Sequence, residues 1–338
     1  LFAILLCERK GKGEIDMKEF NKYCDNYFPK CSKFKRLKLA CDCLWEYFVY
    51  GTRLNNYFLY DFHKKTKGER RTFFTLGEGW TYRRRLNGKT PHQKLKNKRM
   101  FNEAFSDFVQ RDWIYMAEAT KEEFDNFCSR HTSYMEKPID LMGGEGITKR
   151  IVSDEDNAQM YQMYAGKPIL LEEVVVACDI INDLHPESLN TIRVSTMLDK
   201  SKSKVTILSA TLRVGMGGNV VDNFTIGALL VAIDVDSGIV SHKALDKMGN
   251  RYEFHPETGK LIFGIAIPGW QKVIDMCTKA ALSYPDAPFI GWDVAVSQTK
   301  DGQDYTVQLI EGNDSQCFLG IQAPCGVGAK EKIMRAAN

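Results

Sequence analysis

Apolar residues recur at three- and four-residue spacing through MKEFNKYCDNYF (17–28) and FKRLKLACDCLWEYFVYG (34–51), the period of an amphipathic helix, and Gly51 supplies a stop for the second. The period returns over KRMFNEAFSDFV (98–109) and KEEFDNFCSRH (121–131), and TSYMEKP then reads as a strand. LMGGEGITKRIV (141–152) reads as a Gly-rich loop entering a strand, and DEDNAQMYQMYAG (154–166) as a short helix closed by Gly166. From Pro168 the pattern changes to short β-branched runs: ILLEEVVV, NTIRVSTML, VTILSATLRVG, GALLVAIDVD, GWDVAV and VQLIEG, divided by Gly, Asp or Lys/Ser turns. One helix, WQKVIDMCTKAALSY (270–284), interrupts them. Helices first, a mixed middle and a sheet-rich end predict an α+β architecture.

The 338 residues exceed one small domain and predict two or three, and 44% apolar content is enough for real cores. The net charge of +3 hides a local bias. Residues 63–99 hold thirteen lysines and arginines against two glutamates, which points to a local anionic partner or a solvated face rather than to nucleic-acid binding. Ten cysteines without a CxxC predict free thiols in a reducing compartment, with Cys24, Cys31, Cys41 and Cys43 structural rather than zinc ligands. The longest apolar runs, LFAILLC (1–7) and IGALLVAI (226–233), are shorter than a membrane span, and the first lacks signal-peptide flanks. A cytoplasmic location is expected.

The most informative residues are Asp293, Glu311 and Asn313, in GWDVAV and VQLIEGND. The two runs flank QTKDGQDY and read as an antiparallel hairpin. Glu311 and Asn313 share a face by strand alternation, and an odd loop, for instance with Gly302 at a bulge, puts Asp293 opposite Glu311. Facing carboxylates repel, and a divalent cation such as Mg²⁺ reverses the sign. Two solvated acids on an edge hairpin are the alternative. Arg193 and Arg213, each inside an apolar strand, either meet a carboxylate or face a cleft. Lys98 and Lys137 with Gly143, Gly144, Glu145 and Gly146 read as a phosphate-closing loop or a plain surface turn. Glu172 and Glu173 mark either a solvent-exposed strand end or an adenine-reading hinge. His185 and His255, each before a proline, read as turn residues.

In this order the segments resemble the sugar-transfer-associated ATP-grasp family, carried by SLNTIRV (188–194), LRVGMGGNVVDNF (212–224), HPETG (255–259), IPGW (267–270), GWDVAV (291–296) and LIEGN (309–313), over about residues 45–322. The resemblance implies an ATP-grasp fold divided as a helical region 1–72, a small lobe 73–171 and a C-terminal lobe 172–338. It implies that Lys98 and Lys137 contact ATP phosphates, that Gly143, Gly144 and Gly146 close over them, and that Glu172, Glu173 and Val175 frame the adenine. Arg193 and Arg213 match catalytic positions beside the γ-phosphate and acyl-phosphate, and Asp293, Glu311 and Asn313 match the Mg²⁺ ligands. The ribose acid has no clear counterpart; Asp179 and His185 are the candidates. Ala228 departs from the family's glycine pair after DNF.

The implied activity is an ATP-dependent carboxylate–amine ligation through an acyl-phosphate, releasing ADP and joining an amine or amino acid to a carboxylated, sugar-linked or small-molecule substrate. A phosphotransferase, or a non-catalytic nucleotide-binding partner in polysaccharide assembly, is the alternative. ATP and Mg²⁺ are the cofactors, and no nucleic acid or membrane span is expected.

Overall fold

Helix starts are written locally as caps. Asp16 and Ser32 accept backbone N–H bonds ahead of α1 (Met17–Tyr27) and α2 (Lys33–Tyr50), and Gly51, at φ 66°, closes α2 in the left-handed region. The computed structural model describes residues 16–338 except 140, 142–143, 154–156 and 219–221, so LFAILLC and Gly143 lie outside the described residues.

After α3 (Leu54–Leu59) the basic stretch 63–99, where the sequence shows no helical period before Lys98, is largely helical: α4 (Lys67–Arg71), α5 (Leu76–Asn87) and α6 (Gln93–Lys96) precede α7 (Lys98–Ala104). Its two glutamates explain why. Thr66 with Glu69 and Thr75 with Glu78 form capping boxes that start α4 and α5. Helix α7 stops at Ala104, short of the 98–109 expected, because the chain turns at Phe105 to send Phe101 and Phe105 into the core.

Two antiparallel sheets follow. The smaller has order β1-β4-β2-β3, from β1 (Trp113–Tyr115), β2 (Ser133–Pro138), β3 (Thr148–Ile151) and β4 (Ile169–Glu173). Helices α8 (Lys121–Arg130) and α9 (Asn157–Tyr164) accompany it, and Phe124, Phe127, Tyr134, Tyr164 and Leu171 form its core. After α10 (Asp179–Asn182) comes the larger sheet, order β11-β10-β5-β6-β7-β8-β9. Its strands are β5 (Ile192–Leu198), β6 (Val205–Val214), β7 (Leu229–Ile233), β8 (Ala244–Leu245), β9 (Arg251–Tyr252), β10 (Phe289–Gln298) and β11 (Tyr305–Asn313). Helix α11 (Trp270–Ser283) packs on it through Val273, Met276, Cys277 and Ala280, and α12 (Leu319–Gln322) and α13 (Lys330–Ala336) end the chain. The N-terminal helices share one core with this larger unit: Phe20, Tyr57, Phe58 and Phe62 cluster with Leu230, Leu245 and Leu319.

The hairpin that carries the carboxylates reaches its register by a different route from the one expected. Gln298 pairs with Tyr305, so six residues form the loop, an even number that would leave Asp293 facing residue 310. A β-bulge between the pairs Asp293–Glu311 and Val294–Leu309 inserts Ile310 and brings Glu311 opposite Asp293. The bulge, not the loop, aligns the pair.

Gly312, opposite Trp292, turns its back to the core: a Cβ there would sit 2.8 Å from Leu95 Cδ2 and 3.1 Å from Phe101 Cε2. Gly312→Ala is therefore expected to cost about 1–3 kcal/mol by overpacking, read as a lower urea midpoint at unchanged slope.

His63 supplies a pH-dependent element of the helical layer. Its ring is 4% exposed, both nitrogens lack a hydrogen bond to the described residues, the nearest carboxylate is Asp61 at 3.7 Å, and Tyr27 and Phe28 pack edge-on against it. Burial pushes its pKa from 6.5 down to about 4. The unfolded chain thus takes up a proton first, so stability falls as pH drops from 6.5 towards 4 and is fully retained above that window. The contribution is on the order of 3 kcal/mol, and His63→Phe should flatten that part of a stability–pH curve.

Candidate active site

On the larger sheet the register aligns one row of side chains across four strands: Glu311 faces Asp293, Asp293 faces Arg193, and Arg193 faces Thr211. Asp293 is fully buried, and its carboxylate accepts from the Arg193 Nε, from Arg193 Nη2 at 2.8 Å and from Arg213 Nη2 at 2.7 Å. Arg213 comes from β6, two residues beyond the position opposite Arg193. Its Nη2 also donates to Thr191 Oγ1 at 2.8 Å and lies 3.1 Å from Asp222 Oδ1. Asp222 Oδ2 in turn accepts from the Thr191 N–H at 2.8 Å and its hydroxyl at 2.5 Å. Both arginines therefore meet a carboxylate and face the cleft at once.

Burial works against the Asp293 charge, yet the two guanidiniums outweigh it and hold the carboxyl well below the usual range. Glu311 behaves oppositely. Enclosure in the cleft, then the Asp293 charge, push it up to about 7, and the arginines relieve only part of this. Its side chain still presents 49% of its surface, to the cavity.

The smaller sheet contributes a second charged group. Glu172 is buried, not at an exposed strand end: Arg111 Nε donates to its Oε2 at 2.7 Å, Arg111 Nη2 and Asn102 Nδ2 donate to its Oε1 at 3.0 and 2.9 Å, and Lys137 Nζ donates to Oε2. The Arg111 and Lys137 charges overcome the burial cost and keep Glu172 ionised far below its ordinary pKa. Arg111 also reaches the other sheet, donating to the Leu309 and Ile310 carbonyls at 2.7 and 3.2 Å. One guanidinium thus ties β4 to the bulge that aligns Glu311.

Lys98 Nζ donates to the Pro138 and Leu141 carbonyls at 2.8 and 2.5 Å, anchoring the start of the Gly-rich loop. Gly144 and Gly146 adopt φ of 85° and 72°, conformations open to glycine. β4 ends at Glu173, and the backbone runs on through Val174 and Val175 along the wall of the cavity.

A single cavity of about 670 Å³ joins these groups, lined by Lys98, Lys137, Gly144, Glu172, Glu173, Val175, Arg193, Arg213, Asp293, Glu311 and Asn313. Gly146 is not among the lining residues; it packs on Pro138 and Leu141 instead. Asp179 is exposed and outside the cavity, while His185 is buried against Ser188 Oγ at 2.9 Å; Asn182 and Glu187 line the wall there. His255 likewise is buried, bonded to the Gly215 carbonyl at 2.9 Å. Sequence reasoning missed Arg111, Asp222 and Lys149, all in the wall. A buried arginine leaves a weak sequence signal, and RDW gives no periodic cue.

The oxygen set fits Mg²⁺. Among the described residues no three His, Cys, Asp or Glu side chains converge as a closed metal cage. Mg²⁺ needs less, since it keeps waters and substrate phosphates and takes only one or two carboxylates. Glu311 and Asn313 line the cavity on one strand face with Asp293 beside them, and a dication there would offset the burial and the Asp293 repulsion that push the Glu311 pKa up.

Two antiparallel sheets gripping a cleft, lysines on one side and an arginine–carboxylate row on the other, define the ATP-grasp class of nucleotide-binding folds. The chain belongs to the sugar-transfer associated ATP-grasp family, whose sequence model matches residues 80–337 and leaves α1–α4 outside the match. Among solved structures it is similar to the ATP-grasp ligase PsnB complexed with minimal precursor, at 15% identity and TM-score 0.44 over 74% of this chain and 61% of that one. It is also similar to an ADP complex of purK, N5-carboxyaminoimidazole ribonucleotide synthetase, at 11% identity and TM-score 0.37 over 69% of this chain and 52% of that one. D-alanyl-alanine synthetase A from Vibrio cholerae O1 biovar eltor gives 12% identity and TM-score 0.38 over 69% and 65%. The chain thus spans less than two thirds of these proteins' lengths, and no curated protein matches it. Among the described residues no helix is long and apolar enough to cross a membrane.

Proposed function

We propose that the chain is an ATP-dependent carboxylate–amine ligase that activates its carboxylate as an acyl-phosphate. The observation that carries this reading is the cavity itself, in which cationic groups of both sheets converge on one space beside the Glu311–Asp293 pair. The Val175 backbone, beyond the end of β4 and in the cavity wall, offers an edge for the adenine. Lys137 can turn from Glu172 to a phosphate because Arg111 continues to neutralise Glu172. Arg193 and Arg213, fixed by Asp293, present guanidiniums where charge develops on the transferring phosphoryl group.

A carboxylate oxygen attacks the γ-phosphorus and ADP leaves; an amine then attacks the acyl carbon and phosphate leaves with that oxygen. Mg²⁺ held by Glu311, Asn313 and Asp293 would supply charge neutralisation for the phosphates. No protein nucleophile is required. The proposed substrates are an amine or amino acid and a carboxylated, sugar-linked or small molecule.

The test is release of ADP, AMP and phosphate from ATP and Mg²⁺ with pooled amines, with and without carboxylated sugars. ADP plus phosphate only when carboxylate and amine are both present supports the ligase. ADP without an amine requirement points to phosphoryl transfer alone, and AMP contradicts the acyl-phosphate route.

A further inference from the structure

Helix α2 is apolar on two opposite faces. Leu39 and Cys43 point into the core of the N-terminal layer with the buried Glu46. At 3.6 residues per turn, Phe34, Leu37, Cys41, Trp45, Phe48 and Val49 fall within a stripe roughly 120° wide on the other side. That side is open: Phe34 and Phe48 are 77% and 78% exposed, Leu37 and Trp45 52% and 53%. From Phe34 to Phe48 the stripe is about 21 Å long at 1.5 Å per residue. A helix face in water should be polar, so this one is built to be covered.

The charge around the stripe states what covers it. Lys33, Lys35 and Lys38 fill the first turns of α2, preceded by Lys30 and followed by Arg53, while Arg36 among them turns to Asp25 of α1. The two acids of α2 do not offset them, because Asp42 and Glu46 turn inward: Arg70 binds both, and Arg71 binds Glu46. Lys67 stands 5.7 Å over the Trp45 ring. Helix α5 starts against the end of α2, the Thr75 hydroxyl donating to the Tyr50 carbonyl at 3.0 Å, and it adds an exposed Trp80 with Arg84 stacked 4.2 Å above it.

Aromatic and aliphatic side chains in a line, rimmed by lysines with their acids withdrawn, are the composition of a helix that lies in a membrane interface. We propose that the outer face of α2 seats this protein on an anionic lipid bilayer, Phe34, Leu37, Trp45 and Phe48 entering the headgroup boundary and the surrounding lysines meeting lipid phosphates. The face lies outside the family match and away from the catalytic cavity, so the inference does not depend on the ligase reading.

The test is co-sedimentation of the full chain with phosphatidylcholine vesicles and with mixed phosphatidylcholine–phosphatidylglycerol vesicles, at low and high salt. The expected result is pelleting with the mixed vesicles, weakened by salt, and a partition lower by roughly tenfold or more for Phe34→Ser/Phe48→Ser. Both positions are surface-exposed, so the variant should keep its ATP turnover and its circular dichroism spectrum. Protein that stays in the supernatant with anionic vesicles overturns the proposal. So does binding that the double substitution leaves unchanged. A wild-type dimer that becomes monomeric in the variant, without vesicle binding, assigns the face to a second copy instead.

Discussion

Glu311→Gln is expected to lower ATP turnover by roughly a thousandfold while leaving the protein as stable as before, or slightly more stable. The two halves of this outcome have one cause. Glu311 and Asp293 are direct cross-strand partners, and the Glu311 carboxyl is pushed up to about 7 by its enclosure first and by the Asp293 charge second. An amide removes the repulsion, so folding gains. It also removes the anionic oxygen that faces the cavity, so the proposed hold on Mg²⁺ is lost. Steady-state ADP release together with thermal denaturation separates these effects. Full Mg²⁺-dependent activity in the variant contradicts the metal assignment, whereas a collapsed melting transition makes Glu311 structural.

The second large effect is opposite in kind. Arg111→Met is expected to destabilise the fold by about 3 kcal/mol, because Glu172 is left buried with Lys137 as its sole charged partner. The Leu309 and Ile310 carbonyls lose their donor as well, loosening the bulge that aligns Glu311. Replacing both members, Arg111→Met/Glu172→Met, should recover much of the loss, since no uncompensated charge remains. Urea unfolding of the two variants decides the matter. The pH dependence has a defined sign: a carboxylate whose pKa is depressed stabilises the fold above its unfolded value, and loses that contribution only as pH falls through the lower folded value. The wild-type network should therefore hold through mildly acidic conditions. If the single variant unfolds at the wild-type midpoint, the strut between the sheets carries little.

Much of this was legible because period and punctuation are local. The alternating runs of β5, β6, β10 and β11 and the helical period of α2 and α11 are visible without knowing their neighbours. Asp293, Glu311, Arg193 and Arg213 could be singled out because charge inside an apolar strand is costly unless paired. How they pair was not legible. The bulge at Ile310 is a single extra residue with no signature of its own, and the even loop alone would have placed the carboxylates on different faces. The Arg111–Glu172–Lys137 group joins residues far apart in sequence, and only the packing of α7 against both sheets brings it together. The helices of the basic stretch could have been found, since TKGE and TLGE are capping-box sequences; the dense charge around them obscured the signal.

The central claim, activation of a carboxylate as an acyl-phosphate, is tested most directly by following oxygen. With pooled carboxylates labelled with ¹⁸O, ATP, Mg²⁺ and amines, the account predicts that the released phosphate carries label from the carboxylate and that ADP is the nucleotide product. Phosphate released without label, or label found in AMP, would contradict it.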